Sequence, residues 1–353
     1  TTSLTVNGGD VTGNGTITLT GGTFTVNTAG SFGGDTAWTF TNLTIGAAGN
    51  AITAATGTGG ITVSGTLTID TLDTLDAKGK TWTLSGTTGT PLVITGTLND
   101  SANTSTFAFT GNNGAGNTTV PASTAYHHVM LNNGSETFAL GGSVTTSGDL
   151  TVTAGTLQTV QDSTSNITVT GTLLVDTGGI LIVRRSSTTG DGAGQTITAA
   201  TLTVTGVLKA DGEGFAGQAG PGAGASGDSG AGAAHGGVGG ASAHGVAGGS
   251  VYGSATAPVS LGSGGGADNV GTAAAGGSGG GALILSVSGT LTVDGTLSAN
   301  GTQGTTASGG GSGGTLSVTA GTLAGTGTLS ATGGAGTTRG GGGGGGRILV
   351  SGN

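Results

Sequence analysis

One ten-residue string constrains this chain more than any other feature. It reads L-S-V-S-G-T-L-T-V-D from Leu285 to Asp294 and I-T-V-S-G-T-L-T-I-D from Ile61 to Asp70. It returns as I-T-V-T-G-T-L-L-V-D from Ile167 to Asp176 and L-T-V-T-G-V-L-K-A-D from Leu202 to Asp211. Looser copies run from Leu92 to Asp100, Leu150 to Thr159 and Leu316 to Gly325. Apolar residues alternate with Thr or Ser, the strand period, and the central Gly interrupts that alternation as a bend or bulge does. Two short strands and a bend cannot bury their own apolar face, whereas stacked parallel copies can. The string therefore predicts an all-β chain folded as a parallel β-helix, or β-solenoid. With rungs of ~20 residues and strands ~4.8 Å apart, roughly ten rungs would make a rod of ~50 Å. An antiparallel β-sandwich is the rival, since turn spacing alone leaves it open. The near-identity of the strings favours stacking, with equivalent positions lying over one another.

Residues 1–211 are nearly continuous strand-and-turn text, including Trp38 to Ile45, Trp82 to Leu84 and Ile180 to Val183, and no segment has helical periodicity. Phe24, Phe32, Trp38, Phe40, Trp82, Phe107, Phe109, Tyr126 and Phe138 all fall in this part, which predicts an aromatic core there and an aliphatic one later. Residues 212–281 form a Gly-rich insertion, with 27 of the 70 residues Gly. Residues 282–353 resume the solenoid with two shorter Gly-rich insertions, 301–314 and 333–346, each leading straight into an apolar strand. The Gly spacing has no strict third-residue period and Pro is scarce, so collagen is excluded. Such segments either stay flexible or pack side by side as extended, polyproline-II-like strands. Their low charge favours packing, because Gly-Ala-Ser text with so little charge makes a poor solvated linker.

Charge excludes whole classes of function. Only seven Lys and Arg occur, the net charge is −9, and charged residues are 7% of the chain. No basic stripe for nucleic acid can be built from them. The abundance of Val, Ile and Thr argues against disorder. The absence of Cys removes disulfides and Cys-ligated metals. No apolar run approaches the ~20 residues of a membrane helix, so membrane insertion is not expected. The chain starts at Thr1 without a visible signal peptide, which reads as a processed or excised chain. It opens and stops in strand text without a charged cap, so the expectation is either a piece of a longer chain or ends used for head-to-tail association.

Candidate sites are few. Asp70, Asp73 and Asp76, near Lys78 and Lys80, are the densest acidic group and read as a solvated loop. Arg184 and Arg185 could clamp an acidic sugar or form a strand-end charge pair. Asp70, Asp176, Asp211 and Asp294, with Asp100, end the repeated strings; aligned, they could offer oxygens to Ca²⁺, the one cofactor in view, though Asp in these turns is ordinary turn chemistry. His127 and His128, adjacent in a strand, should point opposite ways and so not share a metal; His235 and His244 lie in Gly-rich text. Ser in G-D-S-G (227–230) and G-G-S-G-G (276–280) matches nucleophile motifs only as chance does in such text. Glu136 and Glu213 are the only Glu, and no Asp-Asp pair exists, which leaves little for carbohydrate-cleaving acid–base chemistry. Thr16, Thr18 and Thr20, and Thr66 and Thr68, could build a flat hydroxyl ladder against ice or crystalline polysaccharide, or simply an ordinary β-branched face. Sequons at Asn14, Asn42, Asn99, Asn103, Asn117, Asn133, Asn166 and Asn300 permit glycosylation.

The text from Tyr252 to Gly266, Leu291 to Gly301 and Gly340 to Val350, with Tyr126 to Leu157, resembles the large Gly-rich repeat proteins of bacterial and archaeal cell surfaces, predicted β-solenoids of adhesin or filament type. The resemblance implies export and a structural or adhesive role, and carries no catalytic residues. The expected function is a structural extracellular subunit of a self-assembling cell-surface filament, sheath or layer, partnered with itself as a head-to-tail homo-oligomer and not an enzyme. A glycan-binding adhesin of cell-surface or phage-fibre type is the alternative. It would recognise its ligand through Gly-rich loops or the N-terminal aromatics. A polysaccharide lyase or hydrolase is a remote third.

Overall fold

The computed structural model of the chain describes residues 3–27, 29–46, 52–100, 104–114, 116–270 and 274–352. Among them there is no helix. Among the described residues the strands pair in parallel along the chain, and two isolated bridges, Ser187 to Ala193 and Asp268 to Ala274, are antiparallel. Opposed hairpins are thereby excluded: the fold is all-β, parallel and β-helix-like. The chain divides into two compact units, Thr1–Leu157 with Thr168–Gly179, and Gln158–Ile167 with Ile180–Asn353.

In the first unit, inward residues stack in columns. Trp38 and Phe40 are register partners of Ile61 and Val63, and these of Trp82 and Leu84. Phe107 and Phe109 follow, then Val129 and Leu131. These partners are 21 to 25 residues apart, one turn of chain. A second column runs through Phe24 and Val26, Leu43 and Ile45, Leu67 and Ile69, and Leu92 and Ile94. A third joins Gly30–Gly33, Ile52–Ala55, Thr74–Asp76 and Thr97–Asn99. All nine aromatics named above are buried. Trp82 and Phe107 stack at 6.1 Å with planes 8° apart, and Tyr126 meets Phe107 edge-on at 5.6 Å. Each buried aromatic removes a large apolar area from water, worth roughly 1.5–3 kcal/mol.

The second unit repeats the arrangement with aliphatic residues. Ile197 and Ala199 pair with Leu285 and Val287, then Val318 and Ala320. Leu202 pairs with Leu291 and that with Leu323, while Leu208, Leu297 and Leu329 form the third column. Register shifts between Ala199 and Leu202, and between Val287 and Thr290, are bulges at the expected bend.

The strings stack as expected only in part: Leu285–Asp294 lies over Leu316–Gly325, but others are offset. Leu67–Ile69, the second half of one string, pairs with Leu92–Ile94, the first half of another. Likewise Leu291–Val293 ends one string and pairs with Leu202–Val204, which begins another. Each string is one corner with its two flanking strands. A turn of chain has more than one such corner, so the same text serves at different corners.

The Gly-rich segments of the second unit are knitted together by backbone hydrogen bonds. The segment 307–314 displays the pattern. Gly309 and Ser312 donate to Gly266 and Ser263, Gly310 and Gly313 to Gly341 and Gly344, and Gly311 and Gly314 to Thr302 and Ala299, all at 2.7 to 3.0 Å. Donation returns to the same neighbour every third residue. The carbonyls of Gly309 and Ser312 accept from Gly277 and Gly280, that of Gly310 from Ala233, and that of Gly311 from Gly334. One segment thus touches six others. Only Gly permits this approach: a Cβ on Gly309 would lie 1.8 Å from the Ala231 carbonyl oxygen.

Candidate functional site

Polar side chains inside the coils bind chain to chain. Lys80 and Asp73, read from sequence as members of a solvated loop, are buried at 1% and 0% exposure. The Lys80 ammonium donates to the carbonyls of Gly34 at 3.0 Å and Gly59 at 2.6 Å. Burial lowers its pKa against the pull of Asp35. Residues on the parity of Trp82 and Leu84 face inward, and Lys80 shares that parity; strand alternation was the available signal. Glu136, on the parity of buried Phe138 and Leu140, accepts the amides of Asn113 at 2.7 Å and Thr118 at 2.9 Å. Asp76 keeps a surface role, paired with Lys78 at 3.3 Å.

The string-terminal acids do not converge. Asp70 and Asp176 each accept the next residue's amide, from Thr71 and Thr177. Asp294 accepts the amide of Thr326, and Asp211 takes the Ser298 hydroxyl and the Asn300 amide. The last two therefore link neighbouring turns of chain. Asp100 is fully buried, accepting from the Ser105 hydroxyl and the His127 amide. Burial pushes its carboxyl up to about 7, the His127 hydrogen bond working against that shift. Among the described residues no three His, Asp or Glu side chains are grouped to hold a metal ion.

The His pair departs from expectation. The rings of His127 and His128 lie 4.2 Å apart at 89°, on the same side of the chain. The strand begins at His128, and the bend at His127 breaks the alternation that would have separated them. His127 Nδ1 meets the Ser147 hydroxyl at 2.8 Å, and His128 Nδ1 accepts the Asp149 amide at 2.9 Å. Burial lowers the His128 pKa, as does His127. His128, Met130 and Asp149 line a cavity of about 260 Å³. In the second unit, His235 is fully buried and donates through Nδ1 to the Gly313 carbonyl at 3.1 Å. Its ring centroid is 5.0 Å from that of Tyr252. His244 is exposed.

Arg184 donates to the side-chain oxygens of Gln161 at 2.9 Å and Gln158 at 2.8 Å, and Arg185 forks onto Asp162 at 2.7 and 3.2 Å. A third Arg185 bond, to the Gly214 carbonyl, leaves this guanidinium heavily engaged. Arg185 borders a cavity of about 500 Å³ with Phe215, Ala219 and Pro221. In the first unit, Thr12, Asn14, Ser31, Asp35 and Thr56 line a polar cavity of about 450 Å³. Ser229 of G-D-S-G is buried. The N-terminal aromatics, considered as sugar platforms, are core residues with no face open to a ligand.

The sequon asparagines divide by environment. Asn14, Asn99 and Asn117 are exposed. Asn42 donates to the Gly22 carbonyl and accepts the Thr66 amide. Asn133 donates from Nδ2 to the carbonyls of Thr110 and Gly111 at 3.0 and 3.2 Å. Asn166 accepts the Thr196 amide, and Asn300 accepts from Ser330 and twice from Thr332. Asn103 lies outside the described residues. Of the Thr residues expected in a hydroxyl ladder, Thr18 and Thr68 fall in cross-strand columns of the first unit: Thr18, Thr39, Thr62 and Thr83 are successive register partners, as are Thr5, Thr25, Thr44 and Thr68. None of these eight is buried. Set against protein-family models, curated proteins and solved structures, the chain matches none.

Proposed function

We propose that this chain is a structural, non-catalytic extracellular protein that self-associates into a filament, sheath or surface layer. In this reading the strands form a β-solenoid, and the Gly-rich segments pack as a polyglycine-II-like bundle. The observation that carries it is the rotation of hydrogen bonds from segment 307–314 to six neighbours with a period of three residues. A polyproline-II chain has three residues per turn and no internal hydrogen bonds, so its amides are free to bind neighbouring segments on every side. A lattice of that kind supports rigidity rather than catalysis. The polar groups inside the coils fit the same reading, since Lys80, Glu136 and Asp211 bridge chain to chain.

Self-association is supported by the Thr columns. These columns present hydroxyls and methyls in register, with no charged side chain among them to oppose a second copy. Export is supported by the resemblance to Gly-rich cell-surface repeats. Negative-stain microscopy of the purified chain tests the proposal, with Thr39→Lys/Thr62→Lys as the comparison. Ordered assemblies that the double variant loses are expected; a monodisperse monomer at all concentrations contradicts it.

A further inference from the structure

The Gly-rich segments of the second unit have two distinct ends. At one, the segments join the strands: Gly281 bonds to Ala210, Thr315 to Gly281, Gly314 to Ala299, Gly346 to Ala331 and Arg347 to Gly314. Followed away from that end, the segments reverse direction in loops around residues 226–229, 242–246, 303–307 and 336–340, and again between the paired residues Asp268 and Ala274. Those loops meet one another. Ala243 donates to the Arg339 carbonyl, and Gly227 faces the Val246 side chain. Asn269 donates to the Gly227 carbonyl at 2.8 Å, Asp268 to the Ser308 hydroxyl at 3.2 Å, and Thr337 to the Ser308 carbonyl at 3.3 Å. All five reversals therefore form one contiguous surface at the end away from the strands.

That surface is chemically unlike the segments beneath it. The segments are Gly, Ala and Ser, yet the loops expose Asp228, His244, Asn269, Gln303, Thr338 and Arg339. Two loop residues, Ala307 and Thr338, have positive φ, 35° and 49°, in a region where L-residues are strained. Strain of this kind persists only where surrounding structure imposes it, and it clusters at functional sites. Loops held by a rigid scaffold are where binding residues concentrate. A hydrogen-bonded bundle anchored on a strand ladder is such a scaffold.

We propose that this loop cluster is a carbohydrate-binding surface that takes an uncharged oligosaccharide. The side chains offered are an amide pair, hydroxyls, an imidazole, one carboxylate and one guanidinium. Together they supply both donors and acceptors at short range, as sugar hydroxyls require. Arg339 is the single exposed cation of these loops among the described residues, too little for nucleic acid or an anionic membrane. Val270 is the single large apolar side chain of these loops among the exposed hydrophobics, too little for the anchored core of a protein interface. Asp228 and Arg339 offset one another and the buried Asp268 adds a second acidic side chain, which favours a neutral ligand over an acidic one. The loops belong to the second unit and the Thr columns to the first, and the loop proposal uses no Thr-column residue, so it stands whether or not the chain self-associates.

The test is binding of the whole chain to a printed array of neutral and acidic oligosaccharides. Asn269→Ala/Gln303→Ala/Arg339→Ala is the site variant. Among the described residues these side chains make no hydrogen bond that supports the bundle, and an unchanged melting curve checks that the fold survives. Thr256→Ala, an exposed hydroxyl outside the five loops, is the control. The expected result is retention of one or more neutral oligosaccharides, weakened at least tenfold by the triple variant and unchanged by the control. No retention, retention of acidic sugars alone, or equal binding by the triple variant overturns the proposal.

Discussion

Leu202 and Leu291 are register partners in parallel strands, although the whole insertion 212–281 lies between them in sequence. Both are fully buried, and Leu291 pairs onward with Leu323. The chain leaves the strand ladder after Lys209, builds the Gly-rich bundle, and returns to the same ladder at Ala282. The insertion is therefore a branch from the ladder. Leu291→Ala leaves a cavity at the point where the two parts of the ladder meet, and should cost about 2–5 kcal/mol. Chemical denaturation of the second unit's transition checks this; a loss below about 1 kcal/mol contradicts the buried register.

Glycine is required in the bundle by contact. Gly309→Ala places a methyl against the Ala231 carbonyl, whereas an added Cβ at Gly342 meets nothing within 4 Å. Gly309→Ala should lower the stability of the second unit by about 3 kcal/mol or more, the upper range for overpacking. Gly342→Ala, with the same chemistry and an open site, should change it by less than about 1 kcal/mol. Melting curves of the two variants side by side make the comparison; equal effects mean that the segments are not packed.

Much of this architecture is legible in the sequence. The period of two, the Gly bend and the recurrence together give parallel stacked strands, and Trp38, Phe107 and Leu285 all face inward as the alternation requires. The register is harder to read, because the strings mark corners rather than turns of chain. Lys80 and Glu136 are readable in hindsight by strand parity, but a charged residue suggests solvent until its carbonyl or amide partners are known. The bundle leaves no side-chain pattern at all. Its order lies in backbone bonds between segments as distant as Gly230 and Gly341. The His127–His128 contact depends on a bend that no neighbouring Gly or Pro announces.

Two buried groups give the protein opposed responses to pH. Asp100 titrates near 7 in the folded chain and near 4 unfolded. A carboxyl raised in this way adds stability below its unfolded value and loses it as pH climbs towards 7. His235 acts in the other sense: burial lowers its pKa, so its contribution is full above about 6.5 and is lost as pH falls. Asp100→Asn removes the first slope and keeps the second. The stability of the native chain minus that of the variant should fall by on the order of 2–4 kcal/mol from pH 4 to pH 8. A difference independent of pH contradicts the buried, proton-holding carboxyl.

The sequons differ in what a glycan would displace. Both Nδ2 hydrogens of Asn133 are donated to carbonyls of the preceding turn, whereas Asn14 and Asn117 are exposed. Expressed in a host that glycosylates such sequons, the chain should carry glycans at Asn14 or Asn117 and none at Asn133. Site-resolved mass spectrometry reads this directly; full occupancy at Asn133 contradicts the hydrogen bonding described for it.

The ordering of the Gly-rich segments is the claim on which the bundle, its loop surface and the proposed structural role all depend. Amide hydrogen exchange tests it residue by residue. Protection is expected at Gly230, Gly232, Gly265, Gly277 and Gly309 to Gly314, each bonded to a segment other than its own, alongside that of the strands. Exchange of these amides at the rate of an unstructured Gly-rich peptide, with the strands still protected, would contradict the account.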